Sequence, residues 1–388
     1  MPVSYPYTQY SGVWTTSQAT DAVAQGKWPV PPAPHLYAWG YNGSGGLGLN
    51  NTTYYSSPKQ VGALTNWLSI SCGSSTLANK TDGTLWSWGY NANGELGLGN
   101  RTYYSSPKQV GSLTNWASVT AGSGSSLAVK TDGTLWSWGY NNNGQLGLGN
   151  TTSYSSPKQV GALTNWLNVA SSGYATIALQ TNGTLWAWGA NNYGQLGLSN
   201  RTYYSSPKQV GALTNWSKIS IANGVTLATK TDGSLWTWGY NNFGNLGLGN
   251  TTSYSSPKQI GSLTNWSLIS VNAGGSFAIK TDGTLWGWGP NSYGTLGNGN
   301  QTNYSSPIQI GALTTWSKLA GSSGGNNQYM LAIKTDGTLW SWGRNNNGQL
   351  GFGTSGTNYS SPKQVGSLTS WNFVFSGGST SSFGIAKT

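Results

Sequence analysis

The dipeptide Trp-Gly recurs at Trp39, Trp88, Trp138, Trp188, Trp238, Trp288 and Trp342, at spacings of 49, 50, 50, 50, 50 and 54 residues. Internal periods of about 20 to 50 residues mark solenoids, propellers and arrays, in which each unit buries its apolar face against its neighbours. The chain is therefore a series of seven units. Its composition agrees: of 388 residues only 18 are Lys or Arg and 7 are Asp or Glu, while Gly (58), Trp (22) and Tyr (22) are abundant, which suits tight turns and aromatic packing. Disordered chains are poor in aromatics, so the low charge does not signal disorder here.

One unit shows why the pattern repeats. Residues 127–149 hold two short alternating segments joined at Asp132-Gly133. Asp-Gly and Asn-Gly favour a type I′ turn, in which both central residues take positive φ and the twist matches a hairpin. The same dipeptides return at Asp82, Asn182, Asp232, Asp282 and Asp336. A glycine loop then leads to Ser156-Pro157-Lys158-Gln159-Val160, whose proline suits the start of a strand or an edge, and Asn165–Val169 reads as a further strand. Four strands per unit predict an all-β, seven-bladed propeller of four-stranded blades.

The terminal segments complete this reading. The repeats begin at Leu36–Trp39, and Phe383–Thr388 supplies the missing half of a hairpin. The N- and C-terminal strands are expected to pair, so that one blade is shared and no edge stays open. The expected organisation is an N-terminal segment with a proline-rich linker at 1–35 and the propeller at 36–388.

The stretch Leu135-Trp136-Ser137-Trp138-Gly139-Tyr140-Asn141-Asn142-Asn143-Gly144-Gln145-Leu146-Gly147-Leu148-Gly149-Asn150, with Ser156-Pro157 and a Gly-x-x-x-x-Leu-Ala strand, resembles the repeat of the regulator-of-chromosome-condensation family of seven-bladed propellers. The resemblance runs over residues 36–388 and implies the fold. Members of that family include a nucleotide exchange factor, a plant ultraviolet photoreceptor and a bacterial β-lactamase inhibitor, so function has to be argued from the site. The histidine that many family repeats carry before Leu-Ala is replaced here by Ser75, Ser125, Ala175, Val225 or Gly275, and the photoreceptor's Gly-Trp-Arg-His-Thr signature is absent. Scarce acids argue against the exchange-factor role.

Few residues offer chemistry. Asp82, Asp132, Asp232, Asp282 and Asp336 occupy the turn position, Asp21 precedes the repeats, and Glu95 stands on a repeat loop where other units have Gln145, Gln195, Asn245, Thr295 and Gln349. The sole histidine is His35. With neither a carboxylate pair nor a second histidine, no catalytic residue, metal site or cofactor is expected, and the protein reads as a non-enzyme. The single cysteine, Cys72, excludes an intramolecular disulfide and reads as a small buried residue. No apolar run approaches the roughly 18 residues of a membrane span. Met1–Tyr10 lacks the basic and apolar regions of a secretory signal, so synthesis in a host cytoplasm without membrane insertion is expected.

Binding residues are sought among repeated and unique positions. The net charge is +11. Lys59, Lys108, Lys158, Lys208, Lys258 and Lys363 recur in Ser-Pro-Lys-Gln, and Lys80, Lys130, Lys230, Lys280, Lys334 and Lys387 form a second set. Rings of lysine spread charge, whereas nucleic-acid sites cluster it, so nucleic acid is not the expected partner and solubility or an anionic envelope fits better. Tyr54, Tyr103, Tyr154, Tyr203, Tyr254 and Tyr304 fall in loops rich in Asn and Ser, an adaptable surface for a protein or glycan. Four extra residues fall within 321–330, which makes Asn326, Asn327 and Tyr329 candidates for a contact that breaks the ring symmetry.

Residues 1–35 lie outside the repeats. Thr15 and Gln18 form a capping box for a short helix ending near Gly26, followed by the stiff Pro29–Pro34 linker. Residues 12–29, with Trp14, Gln18, Trp28 and Pro29, resemble a segment near the start of tailed-bacteriophage virion proteins. The resemblance implies docking on a particle, and other virion proteins as partners. The expected function is a phage virion component, a capsid decoration or tail-fibre protein that displays a binding surface to a host glycan or protein. The alternative is a bacterial binding protein, an enzyme inhibitor or a binder of glycans or anionic envelope.

Overall fold

The computed structural model describes residues 34–320, 328–378 and 380–387. The chain divides into a unit of residues 1–33 and a unit of residues 34–388, the propeller. The predicted helix and the docking residues Trp14, Gln18, Trp28 and Pro29 lie outside the described residues.

Seven four-stranded antiparallel sheets form the propeller. In the blade of the 116–159 unit the strands are Trp116–Ala121, Ser125–Lys130, Leu135–Gly139 and Tyr154–Gln159. The first packs against its counterparts in the adjacent blades and is the inner strand. The second is buried along its whole length, while the outer strand ends on exposed Lys158 and Gln159. This gradient explains the composition: polar Ser-Pro-Lys-Gln suits an outer edge, and its proline costs no ladder bond to a fifth strand.

Closure follows the expected pairing. Pro34–Gly40 pairs with Ser381–Lys387 from Pro34↔Lys387 to Gly40↔Ser381, and the last blade takes its two outer strands from the start of the chain and its two inner strands from the end. The first described strand starts at Pro34.

The Asp-Gly turns differ from the expected type I′. Gly133 has φ +75°, whereas Asp132 is not among the residues at positive φ. Gly133 N–H donates to Lys130 O at 2.9 Å and Lys130 N–H to Thr134 O at 3.0 Å. The result is a type I turn over Thr131-Asp132 closed by a left-handed glycine, the three-residue alternative to the two-residue hairpin. Asp132 then acts as a cap: its Oδ1 accepts from Thr134 N–H at 2.9 Å and from the Thr134 hydroxyl at 2.6 Å. Those bonds, the hydroxyl first, hold its carboxyl below the usual range. A side chain at Gly133 would collide with the Thr164 carbonyl.

The Trp-Gly tryptophans join blade to blade. Trp39, Trp88, Trp138, Trp188, Trp238, Trp288 and Trp342 are fully buried. In six of them the indole N–H donates at 2.7–2.9 Å to a loop carbonyl of the preceding blade, such as Trp138 to Glu95 O and Trp188 to Gln145 O. A hydroxyl on the second strand reaches the same oxygen, as from Ser126 to Glu95 O at 2.7 Å and Thr176 to Gln145 O at 2.9 Å. At the closing blade the two donors to Gln349 O come from Trp39 and Ser382, one from each end of the chain.

Candidate functional site

Strand direction gives the ring two unlike ends. Inner strands run toward the turns at 73–74, 122–124 and 172–174, and third strands run toward the loops after Trp-Gly, so these elements share one end, the mouth. The Asp-Gly turns and the Gly-x-Leu-Thr loops share the other, the hairpin end.

A buried asparagine builds each mouth loop. Asn141, fully buried, donates from Nδ2 to Asn150 O and Thr152 O at 3.0 and 2.9 Å and accepts at Oδ1 from Leu146 N–H at 2.9 Å. Asn91, Asn191 and Asn241 repeat the arrangement. These side chains satisfy backbone groups that a loop without ladder bonds would leave unpaired. Sequence reading passes over them because an Asn in a glycine loop reads as solvated.

The loops surround a cavity of about 920 Å³ whose lining includes Tyr41, Asn143, Tyr174, Asn192, Tyr193 and Tyr203 and, among the described residues, holds no Asp, Glu, His, Lys or Arg. Aromatic pairs stand at its rim: Tyr41–Tyr54 at 4.8 Å, Tyr90–Tyr103 at 4.9 Å, Tyr140–Tyr174 at 6.3 Å and Tyr193–Tyr240 at 4.8 Å between centroids. Tyr174 is 54% exposed and Tyr193 44%. The Arg344 guanidinium lies 5.2 Å from the Tyr293 centroid.

The structure separates the residues expected to form one binding face. Tyr54, Tyr103 and Tyr203 are exposed at the mouth, and the Tyr203 hydroxyl donates to Asn192 Oδ1. Tyr154, Tyr254 and Tyr304 sit one residue further along the repeat, at the start of the outer strands, half-buried, with their hydroxyls accepting from Asn150, Asn250 and Asn300. Lys59, Lys108, Lys158 and Lys208 stand near the hairpin end of the outer strands, 5.5–5.7 Å from a tyrosine centroid of the same strand. They do not meet the exposed tyrosines.

Two expectations need correction. Tyr329 is not on a loop: it opens the strand Tyr329–Lys334, is fully buried, and donates from its hydroxyl to Ser381 O at 2.7 Å. Its position is that of Gly275 and Val225 in other blades, and the Val225 side chain is likewise buried in the core. Asn326 and Asn327 lie outside the described residues. The second lysine set is also not a free ring of charge. Lys80, Lys130, Lys230, Lys280 and Lys334 place Nζ 3.5–4.1 Å from the centroid of the first tryptophan of the third strand, with the inner-strand tryptophan on the other side. Desolvation in these cages lowers the pKa of Lys130, Lys230, Lys280 and Lys334.

The ionisable residues are scattered. Asp82, Asp132, Asp232, Asp282 and Asp336 cap turns at the hairpin end. His35 Nδ1 lies 3.1 Å from Gln60 Nε2 on the outer part of the closing blade. Cys72 is buried, which raises its thiol pKa.

Glu95 is fully buried, accepting from Asn93 N–H at 2.8 Å, and burial raises its pKa. A carboxyl whose folded pKa is raised lowers stability above that pKa and restores it as pH falls toward the unfolded value. Glu95→Gln is therefore expected to raise the melting temperature at neutral pH and remove this gain on acidification, as measured by thermal unfolding across pH. Gln145 shows the fit: its Oε1 accepts from Asn143 N–H at 3.0 Å and its Nε2 donates to Gly173 O at 3.1 Å.

The model of the regulator of chromosome condensation (RCC1) repeat matches residues 35–78, 82–129, 132–179, 182–229, 232–279, 282–329 and 336–383. The chain belongs to the RCC1 repeat family. A search of curated protein sequences found no match. Among solved structures, this RCC1 propeller is similar to human WBSCR16 with 21% identity and a TM-score of 0.80, covering 92% of this chain and 99% of that one. It is similar to Prp20p from Saccharomyces cerevisiae, described with its binding properties to Gsp1p and histones, with 20% identity and a TM-score of 0.80 over 92% of each chain. It also resembles yeast RCC1 (Prp20) bound to Kap60, with 19% identity and a TM-score of 0.81, covering 100% and 96%. At these identities the likeness establishes the seven-bladed architecture.

Proposed function

We propose that this RCC1 propeller is a non-catalytic recognition module carried on a tailed-phage particle, with residues 1–35 as the docking segment and the mouth as the surface offered to a host glycan or protein. The observation that carries the recognition reading is the mouth: a cavity of about 920 Å³ bordered by exposed tyrosines, with no carboxylate, imidazole or amine among the described residues of its lining to perform acid–base work. Binding of protein partners by the yeast relative, to Gsp1p, histones and Kap60, supports a propeller used for contact.

The resemblance of residues 12–29 to virion proteins supports the particle location. Within the propeller, Pro34 lies at the hairpin end, away from the mouth. That end carries one exposed leucine per blade, from Leu64 at 43% to Leu368 at 39%, an apolar ring suited to packing against a larger assembly.

Mass spectrometry of purified particles is expected to find this chain, and its absence would overturn the particle reading. A variant lacking residues 1–33 is expected to fold and fail to incorporate. Incorporation at the full-length level would refute the docking role.

A further inference from the structure

The mouth is not sevenfold symmetric. Duplicated units carry the same residue by default, yet at the fourth position after Trp-Gly, Ser44, Asn93, Asn143 and Asn347 give way to Tyr193, Phe243 and Tyr293 in three consecutive units. At the inner turn, Tyr174 stands where Ser74 and Gly124 stand in the two preceding blades. Tyr174 packs on Tyr140, and Tyr193 on Tyr240, which in turn meets Phe243 at 6.3 Å. These aromatic departures from the repeat collect along one arc of the mouth, and the amides of Asn143, Asn192, Gln195 and Asn223 share the cavity with Tyr174 and Tyr193.

From this asymmetry we infer that the arc formed by Tyr174, Tyr193 and Phe243 is a binding site for a neutral oligosaccharide. This rests on the reading of the mouth as the recognition surface and names its ligand. Exposed aromatic rings at 54%, 44% and 50% offer flat apolar faces at low entropic cost. A sugar ring presents axial C–H groups to such a face and hydroxyls at its rim, and side-chain amides both donate to and accept from those hydroxyls. An anionic glycan would require cations for pairing, and among the described residues the lining holds none, the nearby Arg344 guanidinium being placed on the Tyr293 ring instead. A folded protein partner would favour a broad surface, whereas here the tyrosines border a concave space of ligand size.

The test is binding of the full-length protein to an array of neutral and anionic glycans, followed by calorimetry with the bound oligosaccharide. Saturable binding to a neutral glycan is expected, insensitive to salt. It should weaken about tenfold or more in Tyr174→Ala and in Tyr193→Ala, the equivalent of about 1.4 kcal/mol for each ring removed. Gln159→Ala, on an outer strand, should bind as the parent does. Both tyrosines are well exposed, and an unchanged melting temperature would show that the variants fold. Binding to no neutral glycan, to anionic glycans alone, or with the parent's affinity in both tyrosine variants would overturn the inference. Capture of a protein ligand that both tyrosine variants fail to hold, with a blank array, would overturn the glycan assignment and leave the recognition reading standing. A mouth that binds neither would sink both.

Discussion

A chain lacking residues 381–388 is expected to lose cooperative unfolding and to elute as an expanded or aggregated species. The deletion removes the strand that pairs with both Pro34–Gly40 and Trp371–Ser376, so two central edges are exposed at once. It also takes Phe383 and Ile385 from the core, where both are buried. Those side chains alone contribute about 3–6 kcal/mol at roughly 1.5–3 each, against a total stability of about 5–15 kcal/mol for a typical domain. The ladder bonds and the Ser382 donor to Gln349 O go with them. A circular permutant tests whether closure itself is the cause. Pro34 lies opposite Lys387, so a short linker can join them, with new termini in the exposed Gly161–Thr164 loop. The permutant is expected to melt cooperatively as a monomer. If the truncated chain also melts in one sharp transition at the parent temperature, ring closure is not what holds the propeller together.

Trp188→Ala is expected to destabilise the propeller by about 3–5 kcal/mol, the range for removing a large buried aromatic side chain. Trp188 has no exposed surface and packs at 6.1 Å against Trp166, and its indole N–H is one of two donors to Gln145 O. Both the cavity and the weakened inter-blade bond act at the same junction. Trp186→Ala in the same strand is the comparison. That side chain is only partly buried and donates to Thr184 Oγ1 within its own hairpin, so the cost should be smaller. Chemical denaturation measures both. Equal destabilisation would mean that neither the fuller burial of Trp188 nor its bond between blades adds to stability.

Much of the fold is legible because repetition multiplies weak signals. A single Trp-Gly or Asp-Gly says little, but the same marks in register with a Ser-Pro edge strand, unit after unit, leave few architectures. The divided blade can be read from the same register, since Leu36–Trp39 and Phe383–Ile385 are the two halves of one hairpin. The dipeptide rule misreads the turn at Asp132 because it concerns two-residue loops. Here the chain closes one residue wider, and the Asp carboxylate is used for capping Thr134 instead. Tyr329 is misplaced by sequence for a related reason: length counting locates four extra residues, but it cannot say where the strand resumes.

The candidate site is less legible. Tyr54, Tyr103 and Tyr203 stand out because they repeat, whereas Tyr174 and Phe243 are informative because they do not. Their signal is present in the aligned units: Tyr174 replaces the Gly124 and Gly224 of the blades on either side, and Phe243 belongs to a run of three aromatics, Tyr193 to Tyr293, where the other four units carry Ser or Asn.

Period, blade count and strand number were dictated by the local pattern, because each depends on apolar spacing and turn chemistry within about 50 residues; ring closure could be read from the repeat register, but the pairing that makes it joins segments about 340 residues apart. Which end of the ring a residue faces, and which residues from different blades meet there, depends on packing between units far apart in sequence. The lysines show the difference. As a sequence they form two similar rings of charge, but antiparallel strand direction places Lys158 on an exposed outer edge and Lys130 between Trp116 and Trp136. The mouth is likewise a product of closure: Tyr41 and Tyr174 line one cavity only because the strand that begins at Pro34 pairs with the strand that ends at Lys387.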